Sequence, residues 1–224
     1  MVRRPQALRA WLAAYAAATA STASYNEILD AATPGEADKP ARATAAAYRD
    51  VLSQLWLLDS VPGWSPSMSP FTRLAQGPKH HLADPALAAR LLGATASSLI
   101  RTGGAPGDFY VVPRDGPLLG ALFESLVVLS VRTYAQAAMA SVYHLRTQNG
   151  DHEVDIIVEG EGLRVVALEV KLSRNVSDAG TRHLKWLRDR IGNRLVDAVV
   201  ITMGRDAYRR RDGIAVVPAA LLGP

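Results

Sequence analysis

From residue 115 onward the sequence sets one long helical period ahead of a series of strand runs, and this order restricts the fold more than any single motif does. Leu119, Leu122, Phe123, Leu126, Val127 and Ser130 recur on one broad face of a helix spanning 115–138. Strand-like runs follow at 141–147, 153–158 and 163–171, then a helical stretch at 177–191 and strands at 196–203 and 214–217. Helix, three strands, helix, two strands is an α/β (α+β) plan, a mixed sheet flanked by helices.

The first 92 residues read differently. Segments 5–20, 25–32 and 40–54 fit three helices, with Pro5 suited to a first turn and Thr33-Pro34-Gly35 breaking the second. Arg3 and Arg4 before an Ala-rich stretch resemble a signal peptide, but Arg9 interrupts it and Leu8, Leu12 and Tyr15 fall at helical spacing. Apolar residues 56–61 and the segment 79–84, separated by a loop punctuated by Pro and Gly, fit two strands of a wing. Three helices and a hairpin describe a winged-helix-like domain over 1–92, and a helical linker with a chance hairpin would read much the same. Asp84-Pro85 opens a further helix that Gly93 stops, and the loop-like stretch 101–107 marks the passage to a second domain, 93–224.

The chemistry concentrates at Glu169-Val170-Lys171, where a hydrophobic strand ends in opposite charges. Side chains alternate along a strand, so Glu169 and Lys171 share a face. Asp155 lies on the preceding strand run, and antiparallel pairing across the Gly160–Gly162 turn brings it to the same end. Two carboxylates and an ammonium at one strand end suit a Mg²⁺ or Mn²⁺ ion, which binds through one or two carboxylates and keeps several waters. Glu124, a single acid among Leu122, Phe123, Leu126 and Val127, needs a partner or a metal if its helix is buried. An ordinary strand-end ion pair and a helix-edge acid account for the same residues without any metal.

Gly120-Ala121-Leu122-Phe123-Glu124, Glu153-Val154-Asp155 and Leu168-Glu169-Val170-Lys171, in this order, together resemble the PD-(D/E)xK nuclease superfamily. The branch is the domain of unknown function 4143, found at the C-terminus of prokaryotic AAA+-like ATPases. The likeness spans roughly residues 24–220 and lies more in the order of its short motifs than in any one of them. It implies a restriction-endonuclease-like sheet preceded by a winged helix, joined by a segment matching Lys79 to Asp84 and Leu87. It further implies that Asp155 and Glu169 hold the ion, that Glu124 completes the shell, and that Lys171 steadies the attacking water or the phosphate. Val154 stands where that pattern has Pro, and no GxxxxGK[ST] phosphate loop occurs, so a partner would have to supply any ATPase.

Charge points to the same half. Residues 171–212 carry 11 Lys/Arg against 5 Asp/Glu, a balance of +6, within a chain of +4 overall, which leaves −2 elsewhere. Such a basic region suits a polyanion. On the 177–191 helix, Leu184, Leu187 and Ile191 should face inward and leave Arg182, Lys185, Trp186 and Arg190, together with nearby Arg174, as a nucleic-acid-facing surface. His80-His81 cannot share an ion, because strand neighbours face opposite ways, and Ser125 and Ser130 lack spaced His and Asp partners. With no run of about 18 uncharged apolar residues, the expectation is a protein away from the membrane; the lack of Cys fits any compartment, and the cytoplasm is the default. The expected activity is metal-dependent hydrolysis of nucleic acid, DNA first. The rivals are a non-catalytic DNA-binding module and a domain that docks onto an ATPase.

Overall fold

The computed structural model describes residues 5–33, 41–67, 72, 76–100 and 116–223. The 101–107 stretch read as a linker, and Pro34 and Gly35 of the helix breaker, lie outside the described residues. The chain forms two compact units, Met1–Ser60 with Lys79–Ser125 and Val61–Pro78 with Leu126–Pro224.

The first unit begins with helices α1 (Pro5–Ala17), α2 (Tyr25–Ala32) and α3 (Arg42–Gln54). Ser24 caps α2 in a reciprocal box: its hydroxyl accepts from the Glu27 N–H at 3.2 Å, and its own N–H donates to the Glu27 carboxylate at 2.6 Å. Beyond α3, Trp56 takes a left-handed φ of 58°, which ends the helix sharply and consumes the start of the expected 56–61 strand. What remains is one antiparallel bridge, Leu58 with Leu82, flanked by Asp59 N–H to His81 O at 2.9 Å and Ala83 N–H to Leu57 O at 3.1 Å. Two short helices follow, α4 (Pro85–Leu91), capped by the Asp84 carboxylate, and α5 (Ala96–Ile100). The long helix α6 (Gly116–Ala137) comes next, and the division between the units falls inside it. Trp11, Tyr15, Ile28, Leu29, Leu52 and Leu122 belong to the core of this unit. The N-terminal helix is therefore a packed element whose apolar face is buried.

The second unit holds a seven-stranded mixed sheet in the order β1-β2-β3-β4-β5-β7-β6. The strands are β1 (Gly63–Trp64), β2 (Ser141–Arg146), β3 (Glu153–Glu159), β4 (Val165–Lys171), β5 (Leu195–Thr202), β6 (Tyr208–Arg209) and β7 (Ala215–Pro218). β2, β3 and β4 run antiparallel in sequence, whereas β4, β5 and β7 are parallel neighbours. Helix α7 (Arg182–Ile191) provides the crossover and ends at Gly192, whose φ of 55° favours a residue without Cβ. Leu184, Leu187 and Ile191 join Val154, Ile157 and Val200 in one buried cluster, the inward face expected from their spacing. The two-residue strand β1 comes from the Pro/Gly-punctuated segment read as loop, and a side chain at Gly63 would collide with Gln76 at 2.2 Å.

By length and apolarity α6 would also pass for a membrane-crossing helix over Pro117–Ala137, a property that core helices share. Val127, Val128, Val131 and Ala135 on it are buried in the protein.

Candidate metal and nucleic-acid site

β3 and β4 pair with Ile156 opposite Leu168, and the next step of that antiparallel register sets Asp155 beside the end of β4. The Val170 N–H donates to Asp155 Oδ2 at 2.9 Å, fixing the carboxylate with a backbone donor. Lys171 Nζ lies 2.6 Å from Glu169 Oε2 and 4.0 Å from Asp155 Oδ2. The three charged groups therefore converge as the alternation of β4 and the turn after β3 require. Their exposure is graded: the side chains of Glu169, Asp155 and Lys171 are 3%, 12% and 40% exposed. Glu169 is the buried anchor, and Lys171 is the member that reaches solvent.

Glu124 stands in the first unit, where Lys79 Nζ donates to its carboxylate at 2.9 Å. The Lys79 side chain is 1% exposed and that of Glu124 is 13% exposed, so the acid that needed a partner or a metal has a partner. In the sequence, Lys79 opens both the second expected wing strand and the joining segment. A Lys inside an otherwise foldable hairpin, 45 residues before a lone helical acid, was the available signal.

A second cluster borders the trio. The His152 ring stacks on the Trp186 indole with centroids 4.1 Å apart and planes within 10°. His183 Nδ1 lies 3.4 Å from His152 Nδ1. Burial, helped by Arg182, His152 and Lys171, holds the His183 imidazole below its ordinary pKa, so His183 stands within the electrostatic reach of Lys171. His152 and His183 were not singled out from sequence; they lie in a turn and on a helix, far apart in the chain.

The expected nucleic-acid surface is partly spent on internal pairs. Lys185 Nζ lies 2.9 Å from Asp212 and 3.8 Å from Asp178, so its charge is matched within the unit. Hydrogen bonding from Arg210 and from Lys185 holds the Asp212 carboxyl far below the usual range. Trp186 is half-buried, with the His152 ring stacked on it. Arg174, Arg182 and Arg190 are exposed, and no acidic side chain pairs with them among the described residues. His80 is buried, with its Nε2 bonded to the Ala23 carbonyl at 2.7 Å, while the Ser130 hydroxyl donates to Leu126 O; neither bond suggests catalysis.

Residues 119–222 match the family described as Domain of unknown function (DUF4143). This C-terminal part of the chain is similar to that family. It contains Asp155, Glu169 and Lys171, the His152–Trp186 stack and the exposed arginines. Residues 1–98 match a second family, Domain of unknown function (DUF8612). No match emerges among curated proteins or among solved structures.

Proposed function

We propose that the DUF4143 domain is a metal-dependent phosphodiester hydrolase of the PD-(D/E)xK kind, with a restriction-endonuclease-like sheet, acting on nucleic acid. The observation that carries this reading is the convergence of Asp155, Glu169 and Lys171 at adjacent strand ends, with Lys171 Nζ 2.6 Å from one carboxylate and 4.0 Å from the other. Among the described residues no group of three or more His, Asp or Glu is placed to hold an ion. Two carboxylates fit Mg²⁺ or Mn²⁺, which retain waters and recruit substrate phosphate, and do not fit an ion that demands an all-protein cage.

In this proposal Asp155 and Glu169 hold the ion. When bound, it supplies Lewis-acid polarisation of the phosphate and a water of lowered pKa. The Val170 N–H fixes Asp155, so little reorganisation is needed for that carboxylate to serve. Lys171 presents its ammonium toward solvent from the same end and offsets charge that develops on the phosphate oxygens. Ahead of the domain, a winged-helix-like unit would present DNA or dock a AAA+-type ATPase in the cytoplasm.

A second reading draws on the same pair. Lys171 already matches the Glu169 charge, so the trio is self-consistent without metal and suits a non-catalytic nucleic-acid-binding or docking module.

Calorimetric titration of Mn²⁺ and Mg²⁺ into wild type and into the Asp155→Ala/Glu169→Ala variant separates the readings. The hydrolase reading requires a binding event in wild type that the double variant loses. Identical heats in both proteins, or none in either, would leave only the second reading.

A further inference from the structure

We propose that the cavity beside Trp186 is a nucleobase pocket, which seats one base of a single-stranded nucleic acid against the indole and directs its phosphates to Arg146 and Arg190. The inference rests on the nucleic-acid reading of the domain and extends it to a substrate form. The cavity has a volume of about 360 Å³. That falls at the small end of sites that take small ligands, and suits a single nucleotide unit better than a duplex.

Its lining divides by chemistry. Leu145 and Trp64 form apolar wall, Arg146, Gln148 and Arg190 supply donors, and Trp186 provides the aromatic surface. Trp64 is buried and its Nε1–H donates to Glu159 at 2.8 Å, so it belongs to the wall. Trp186 is different. It is half-buried, and the parallel His152 ring holds its plane. A ring fixed in this way loses little freedom when a second flat group stacks on it, which favours stacking over a mobile surface aromatic. Gln148 offers both a donor and an acceptor for a base edge. Arg146 is steadied by Glu153 at 3.7 Å, and Arg190 is exposed at the end of the helix that carries Trp186. Guanidinium groups lining the same cavity as an aromatic ring suit a base and its phosphates.

Beside the cavity, Trp186 stacks on His152, and His152 meets His183 at 3.4 Å.

Fluorescence anisotropy with a labelled oligo-dT, at low salt and with EDTA present, tests the pocket apart from metal and cleavage. Trp186→Ala should weaken binding by about tenfold or more, the size of one lost stacked base. Trp186→Phe should keep most of the affinity, because a ring remains. The Trp186→Ala loss should be the same size with EDTA and with Mg²⁺, so loss of the metal site and loss of the pocket give different signatures. Equal affinity in wild type and Trp186→Ala overturns the pocket while leaving a nucleic-acid partner in place. A Trp186→Phe variant that loses as much affinity as Trp186→Ala overturns it too, as does a wild type that binds no oligonucleotide.

Discussion

The Lys171 ammonium rests 2.6 Å from the Glu169 carboxylate, two residues back along the same strand face. One partner is nearly buried and the other half-exposed, so the pair joins the sheet interior to solvent. That gradient distinguishes it from a surface ion pair, whose partners are both wet and which contributes little.

The Lys79–Glu124 pair makes the opposite case, with both ends inside the first unit. Lys79→Met removes the buried cation that donates to the Glu124 carboxylate and should cost about 3–5 kcal/mol of stability. Adding Glu124→Leu should recover much of that loss. A double-mutant cycle by urea unfolding measures the coupling, and strictly additive effects would mean the pair contributes no specific interaction.

His80 gives a pH dependence of definite sign. Its Nε2 faces a carbonyl and must carry the proton, so a second proton would go to the buried Nδ1. Burial lowers its pKa below the ordinary value of about 6.5. A base with a depressed folded pKa binds fewer protons folded than unfolded, so its contribution is fully present above about pH 6.5 and is lost as pH falls below that. Stability of the first unit should therefore decline on acidification from about pH 6.5. NMR titration of the His80 ring with a midpoint at or above the ordinary value would contradict this.

Much of the fold was legible because its periods are unambiguous. The β2, β3, β4, α7, β5 succession follows from alternating and 3.6-residue patterns, and Asp155 and Glu169 follow from strand parity. The misses have physical causes. β1 is two residues long inside a segment rich in Pro and Gly, so it has no period to read. The 56–61 run has the composition of a strand, but the left-handed turn at Trp56 shortens it. Lys185 looked like a solvent-facing cation until Asp212, 27 residues later in the chain, was brought beside it. The His152–Trp186 stack likewise depends on tertiary placement that no local pattern encodes.

The exposed arginines set the salt response. Contacts from Arg174, Arg182 and Arg190 to about three phosphates of a single strand give a log–log salt slope of about −2. Arg182→Ala should reduce that slope by about 0.7, with only a small change at high salt. Filter binding from low to moderate salt checks this, and a flat response in wild type would remove the electrostatic basis for a nucleic-acid partner.

The most direct measurement of the central claim is a cleavage assay on single-stranded, duplex and branched DNA and RNA with Mg²⁺ or Mn²⁺, comparing wild type with Lys171→Ala. Wild type should cleave at least one substrate in a metal-dependent way. Lys171→Ala should retain the ion, as calorimetry reports, and lose roughly 10² or more in rate, the scale for removing one preorganised charge-stabilising group. Absence of metal-dependent cleavage by the wild-type protein on every substrate, or full activity in Lys171→Ala, would contradict the account.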